Sequence, residues 1–87
     1  MDVKKELNQV FCEVFGNKNI VLKEDMNSNS IIGWDSFSHI NLISAIEIHF
    51  NIEFTQGEAF GLKTVGELIQ LISNKVNLNR GGTSKKL

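Results

Sequence analysis

"GWDSFSHINLISAIE", Gly33 to Glu47, sets a serine directly after an aspartate at the mouth of the most apolar helical segment of the chain. Asp and Ser both make good helix N-caps, because their side-chain oxygens accept hydrogen bonds from the orphan N–H groups of a first turn. Asp35-Ser36 therefore reads either as a cap or as a place for chemistry. Downstream, Ile40, Ile43, Ile46 and Phe50 recur at three- and four-residue steps and predict the core stripe of a helix over 36–50. Phe37, Asn41, Ser44 and Ile48, at i, i+4, i+7 and i+11, form a second stripe more than a right angle away. It begins beside Ser36 and holds two large apolar residues, so it either packs on another part of the fold or docks partners.

Upstream of this helix, residues 17–34 have no sustained period and are rich in Asn and Ser, which predicts a long ordered loop. Loops beyond about 12–15 residues are uncommon in compact domains unless functional or well packed. Ile20, Leu22, Met26, Ile31 and Trp34 supply the anchors. Before the loop, Val3, Leu7, Val10, Phe11 and Val14 predict a first helix capped by Asp2 and ended by Gly16, with Cys12 on its far side as a bystander thiol. After "NIEF" come a short helical piece at about Thr55–Gly61 and a last helix at about Val65–Val76. Thr64 and Glu67 have capping-box spacing there, Thr64 bonding forward and Glu67 reaching back. Val65, Leu68, Ile69, Ile72 and Val76 give that helix its buried side. Trp34 and Phe50, as the large anchors of a small core, are expected to be substantially buried. No alternating strand occurs, so the fold class is all-α: a small four-helix bundle of three principal helices and one short helix, with a long loop between the first and second.

Composition narrows the function classes. The chain has 87 residues, 41% of them hydrophobic and 22% charged, the profile of one small soluble globular domain. Such a chain has little room for a large catalytic cleft. One cysteine excludes an internal disulfide framework, and no apolar run approaches a signal peptide or a membrane span, so a cytoplasmic location without a membrane span is expected. Residues 1–76 carry six lysines against ten acids, while Arg80, Lys85 and Lys86 make the tail basic. An acidic body of this kind does not predict a nucleic-acid partner. The tail, residues 77–87, reads as a flexible, frayed terminus.

Asp35-Ser36-Phe37, preceded by Gly33-Trp34, opening a helix that ends in Phe50 and followed by "NIEF" and "TVGELIQLI", resembles the acyl carrier protein family over about residues 3–76. The resemblance implies an acyl carrier domain at 1–76 with covalent 4'-phosphopantetheine, drawn from coenzyme A, on Ser36. Asp35 then stands as the motif residue and helix cap. Implied partners are a phosphopantetheinyl transferase, an acyl- or aminoacyl-loading ligase, and downstream synthase or transferase enzymes, all meeting a monomeric carrier. The helix terminus suits the modification independently: a phosphodiester there faces unpaired N–H groups and the positive dipole end, worth roughly 0.3–1 kcal/mol when exposed.

The second helix also departs from the family pattern. Ser38, Asn41 and Ile48 stand where carriers of bacterial fatty-acid synthesis commonly have acids, leaving Glu47 as the only acidic residue of the helix. Ser44 replaces a bulkier apolar residue. The expected docking set is therefore Phe37, Asn41, Ser44, Glu47 and Ile48, mostly apolar or neutral, in a specialised pathway more than in housekeeping fatty-acid synthesis. An alternative within the class is a peptidyl or D-alanyl carrier. From another class comes an unmodified helical interaction module that uses the Phe37/Ile48 stripe.

No catalytic residue and no metal site is expected. Ser36 and His39 are three apart and Asp35 adjoins them, but triad chemistry needs an oriented imidazole, an oxyanion hole and a cleft. His39 and His49 sit ten apart on different sides of the helix, too far round for a shared metal. Both read as solvated surface histidines.

Overall fold

The computed structural model describes residues 2–82, which form four helices: α1 (Val3–Phe15), α2 (Ser36–Phe50), α3 (Gln56–Phe60) and α4 (Val65–Gly82). Among the described residues there is no strand, and none of the helices is long and apolar enough to cross a membrane. Asp2 caps α1 by accepting from Lys5 N–H, and Gly16 ends it in the left-handed conformation at φ 61°, which glycine adopts without a Cβ penalty. The short helix is bounded as expected, by a Thr55/Glu58 capping box and by Gly61. α4 runs past its expected end at Val76 to Gly82. Residues 77–79 contain no breaker, and the pair Gly81-Gly82 is the first strong stop. The last part of the expected flexible tail, residues 83–87, lies outside the described residues.

α1 packs against α2 and α4 around a core in which Leu7, Phe11, Leu42, Ile46, Val65, Leu68 and Ile72 are all buried. The long loop delivers Ile20, Leu22 and Ile31 into that core, with Met26 and Trp34 packed partly against it. Two sets of hydrogen bonds hold the loop down. The Asn8 side chain donates to Ile20 O at 2.9 Å and accepts from Leu22 N–H at 2.7 Å, clipping the loop onto α1. The first N–H groups of α4 instead find loop carbonyls: Val65 N–H donates to Met26 O at 2.8 Å and Gly66 N–H to Glu24 O at 2.9 Å. A Cβ on Gly66 would lie 3.0 Å from that Glu24 oxygen, so this contact is close because residue 66 is glycine.

Several details differ from the sequence-based expectations. Ile40 is 53% exposed, and the core stripe of α2 is Leu42, Ile43, Ile46 and Phe50. Steps of three residues rotate about 60° short of a full turn, so Ile40 sits on the rim and Leu42 takes the inward place. Trp34 is half-buried, its ring meeting Phe11 edge-on at 5.2 Å, whereas Phe50 is buried. Cys12 is no bystander: it packs partly on the core with its Sγ 3.7 Å from Ile20 O. Glu67 reaches back one residue further than a capping box, accepting from Lys63 N–H at 2.9 Å, while Thr64 bonds forward to Glu67 N–H as expected.

Candidate functional site

The site is the start of α2 and what surrounds it. Asp35 has extended backbone and its carboxylate accepts from Ser38 N–H at 2.9 Å; the Ser38 hydroxyl in turn accepts from Asp35 N–H at 2.8 Å. This reciprocal box satisfies a donor on each side of the helix boundary. The same Ser38 hydroxyl donates to Gly33 O at 2.6 Å, drawing in the turn that leads to the cap, where Gly33 has φ +92°. The Asp35 carboxyl is held below its ordinary value, first by the Ser38 N–H bond, which outweighs the opposing effect of desolvation with help from the Ser38 hydroxyl and Phe37 N–H.

Capping is thus the work of Asp35 and Ser38, with Ser36 between them taking no part. Ser36 is the first residue of α2, it is exposed, and no described residue hydrogen-bonds its hydroxyl. An acceptable position for an acidic substituent needs such a free oxygen at the positive end of a helix, and the geometry supplies both. Beside Ser36 opens a basin of about 240 Å³ lined by Ser28, Trp34, Asp35, His39, Phe60 and Leu62. A pantetheine arm leaving Ser36 would meet apolar rings and hydroxyl groups here, which fits its mixture of methyl groups and amides.

His39 is not the solvated histidine its sequence position implied. The Trp34 indole can only donate, so its 3.0 Å contact with His39 Nδ1 makes that nitrogen the acceptor. Nε2 then carries the hydrogen and donates to Ala59 O on α3 at 2.7 Å. His39 lies one turn before Ile43 and two before Ile46, and that inward register was the available sign. His49 does stay at the surface, with Nε2 2.8 Å from Glu6 Oε1 on α1. Both imidazoles are engaged and well apart in role, and no cluster of metal-ligating side chains occurs among the described residues.

The expected docking residues divide. Phe37 and Ile48 are 79% and 81% exposed, and Asn41 and Ser44 are exposed between them, so the second stripe of α2 is an outer face and not a packing face. Glu47 belongs elsewhere. Its carboxylate accepts from Phe54 N–H at 2.8 Å and its carbonyl accepts from Asn51 and Ile52, which fastens the turn after α2. Asn51 makes that turn possible by adopting φ 56°, a left-handed conformation that asparagine tolerates.

Residues 5–72 match the model of the phosphopantetheine attachment site family. The chain belongs to that family. It is 30% identical to an acyl carrier protein of Prochlorococcus marinus over 83% of this chain and 95% of that one. An acyl carrier protein of Cyanidium caldarium is 26% identical, covering 87% of this chain and 88% of its own. Among solved structures, the solution structure of a holo acyl carrier protein from Geobacter metallireducens superposes with a TM-score of 0.84 at 38% identity, over 100% of this chain and 98% of that one. The all-α bundle is therefore the acyl carrier fold, and the chain is a carrier of covalent 4'-phosphopantetheine and not an enzyme. Family membership implies phosphopantetheinyl transferase and synthase enzymes as partners in general.

Proposed function

We propose that Ser36 is the residue that carries the arm, and that this chain presents acyl or aminoacyl groups to the enzymes of a specialised biosynthetic pathway. The observation that carries the assignment is the division of labour at the start of α2: Asp35 and Ser38 close the helix, leaving an exposed serine hydroxyl unengaged by any described residue. In the modification, the Ser36 oxygen forms a bond to the phosphorus nearer the pantetheine of coenzyme A. The pyrophosphate bond breaks, adenosine bisphosphate leaves, and the serine proton passes to a base of the transferase. The bound arm supplies a terminal thiol on which acyl groups are held as thioesters.

Pathway enzymes dock on the outer stripe of α2, chiefly through Phe37 and Ile48 with Asn41 and Ser44 between them. Glu47, whose carboxylate is fastened to Phe54 N–H beside the stripe, adds a single negative charge at its edge. A docking face without formal charge favours partners dedicated to this carrier over basic-faced fatty-acid enzymes. The carrier acts in the cytosol as a monomer, its functional domain spanning residues 1–76. An amino-acid cargo, as on a peptidyl or D-alanyl carrier, is the second reading; the neutral docking face suits a dedicated ligase in either case.

Incubation with coenzyme A and a broad-specificity phosphopantetheinyl transferase should raise the intact mass by one phosphopantetheinyl group. Ser36→Ala should remove the increase while leaving the helical circular dichroism in place, because the Asp35/Ser38 box is untouched. Modification that persists in the variant, at Ser28, Ser30 or Ser38, would overturn the assignment.

A further inference from the structure

The exposed face of α2 is laid out symmetrically about its middle. Phe37, Asn41, Ser44 and Ile48 follow one another at steps of four, three and four residues, an order that is the same from either end. All four are exposed, and Ile40, 53% exposed, flanks the row. Alternating three- and four-residue steps are the seam of a two-stranded coiled coil, whose side chains enter gaps on a facing helix. Laid antiparallel against a second α2, the row meets itself: Phe37 stands level with Ile48 of the second copy and Asn41 with Ser44 of the second copy, each contact occurring twice about a two-fold axis. A large apolar side chain thus faces another at both ends. Between them, the Asn41 amide and the Ser44 hydroxyl each offer a donor and an acceptor, a polar layer that fixes the register.

Charge selects the same face. Residues 1–76 carry six lysines against ten acids, so two bodies repel when they approach on other sides. The seam holds no formal charge, and Glu47 at its edge has its carboxylate fastened to Phe54 N–H at 2.8 Å. In the antiparallel pair the two Glu47 positions lie about 13 Å apart along the helix axes, beyond the Debye length of about 8 Å at physiological salt. Area sets the strength. Phe37 and Ile48 from two copies bring together on the order of 600 Å² of apolar surface, short of the roughly 1,200 Å² of a stable interface. Such a contact is weak and reversible.

We infer that the outer stripe of α2 is a self-pairing face: two copies of the chain join through antiparallel α2 helices, Phe37 against Ile48 and Asn41 against Ser44, with a dissociation constant on the order of 0.1–1 mM. The seam begins one residue after Ser36, so a paired chain cannot offer this stripe to an enzyme. The acting form is the single chain, and pairing holds carrier in reserve where it is abundant. That consequence rests on the docking role proposed for the stripe; the pairing itself does not.

Sedimentation equilibrium of the unmodified protein tests the pairing independently of any chemistry at Ser36. The weight-average mass should rise from near the monomer value of 9.8 kDa at about 10 µM to about one and a half times that value or more at about 1 mM. A mass that stayed at the monomer value across that range would overturn the inference and leave the stripe to enzymes alone. Ile48→Glu puts a charge opposite Phe37 and should stay monomeric with its circular dichroism unchanged; pairing equal to wild type would overturn the choice of face. Raising salt from about 0.05 M to about 0.5 M should leave the pairing in place or tighten it, because it screens the repulsion of the acidic bodies. Pairing that dissolved in salt would overturn the inference and assign the contact to the basic tail, Arg80, Lys85 and Lys86, on the acidic body. The register is read on a Cys12→Ser background by mixing Phe37→Cys with Ile48→Cys under glutathione disulfide. The mixed disulfide should exceed either homodisulfide about fivefold, because like positions in the antiparallel pair lie about 16 Å apart. A statistical ratio of the three products would overturn the antiparallel pairing.

Discussion

The inner and outer faces of α2 are both rich in apolar side chains, yet only one is covered. Leu42, Ile43, Ile46 and Phe50 are buried, while Phe37 and Ile48 stand 79% and 81% exposed on the opposite side. A helix apolar all round normally belongs inside a protein. Here the outer face begins one residue after Ser36, the proposed attachment point, so under that proposal its exposure coincides with the side from which partner enzymes would approach. The difference teaches that hydrophobicity along α2 encodes two separate tasks. One face holds the bundle together, and the other is the exposed face proposed above to dock partners.

The sharpest way to break this comparison is to truncate one residue from each face. Phe50→Ala removes a buried ring and should cost about 3–5 kcal/mol of unfolding free energy, the range for large-to-small changes in a core. Ile48→Ala should change stability by less than about 0.5 kcal/mol, as for ordinary surface substitutions. Urea denaturation of both variants followed by circular dichroism measures the contrast. Equal losses would show that Ile48 is covered in solution and that the two faces are not distinct.

A second experiment sharpens the outer face. Ile48→Glu should leave stability nearly unchanged but weaken binding to the ligase that loads the carrier by about tenfold, since it forces a charge into an apolar contact. Wild-type affinity should vary little between low and high salt, because no charged pair dominates the contact. Titration calorimetry at two salt concentrations reads both quantities. An affinity that collapsed with salt in wild type and was unchanged in Ile48→Glu would assign recognition to the acidic body instead.

Much of this organisation was legible before the structure. The spacing of Leu7, Val10 and Phe11, the Asp2 and Gly16 boundaries, and the Thr55–Gly61 unit follow from local chemistry, so local rules found them. The apolar anchors of the long loop were legible as candidates, although residue type alone does not separate them from Val21 and Ile32, which are 68% and 99% exposed. What escaped was long-range or finely phased. Ile40 and Leu42 compete for one stripe, and a count by threes chose the wrong one. The Asn8 clip joins residues 12 and 14 apart, and the Glu47 carboxylate finds Phe54 only after Asn51 turns the chain. His39 was misread for the same reason: its partners, Trp34 and Ala59, come from a loop and from another helix. At the site itself, the family resemblance assigned the cap to Asp35 and the chemistry to Ser36, and Asp35 is the N-cap; what the sequence did not foresee is that Ser38 would complete the cap.

The two serines of the first turn offer a smaller contrast of the same kind. Ser38 spends its hydroxyl on Asp35 N–H and Gly33 O, whereas Ser36 spends its own on no described residue. Ser38→Ala should therefore cost about 0.5–1.5 kcal/mol, the net worth of an ordinary hydrogen bond, and Ser36→Ala close to nothing. Thermal melts of the unmodified variants measure this. A Ser36→Ala loss as large as that of Ser38→Ala would mean that Ser36 also serves the helix.

The smallest effect lies in the pH dependence of the cap. The Ser38 N–H bond lowers the Asp35 carboxyl below its ordinary value of 3.8, so the folded state holds this proton less tightly than the unfolded chain does. Linkage then fixes the sign: the contribution is fully present above the unfolded value and is lost as pH falls through the lowered folded value. Because Asp35 is exposed, solvent screens the effect, and it should appear as fraying of the first turn and not as unfolding of the bundle. Amide chemical shifts of Phe37 and Ser38 should move together on acidification below about pH 4, with core amides such as Ile46 unchanged. Asp35→Asn retains a capping oxygen without the titration, so the same amides should stay flat in that range. Movement of the Phe37 and Ser38 resonances in Asp35→Asn over the same pH range as in wild type would show that another carboxyl governs this turn, and the cap of the inner and outer faces alike would need a different account.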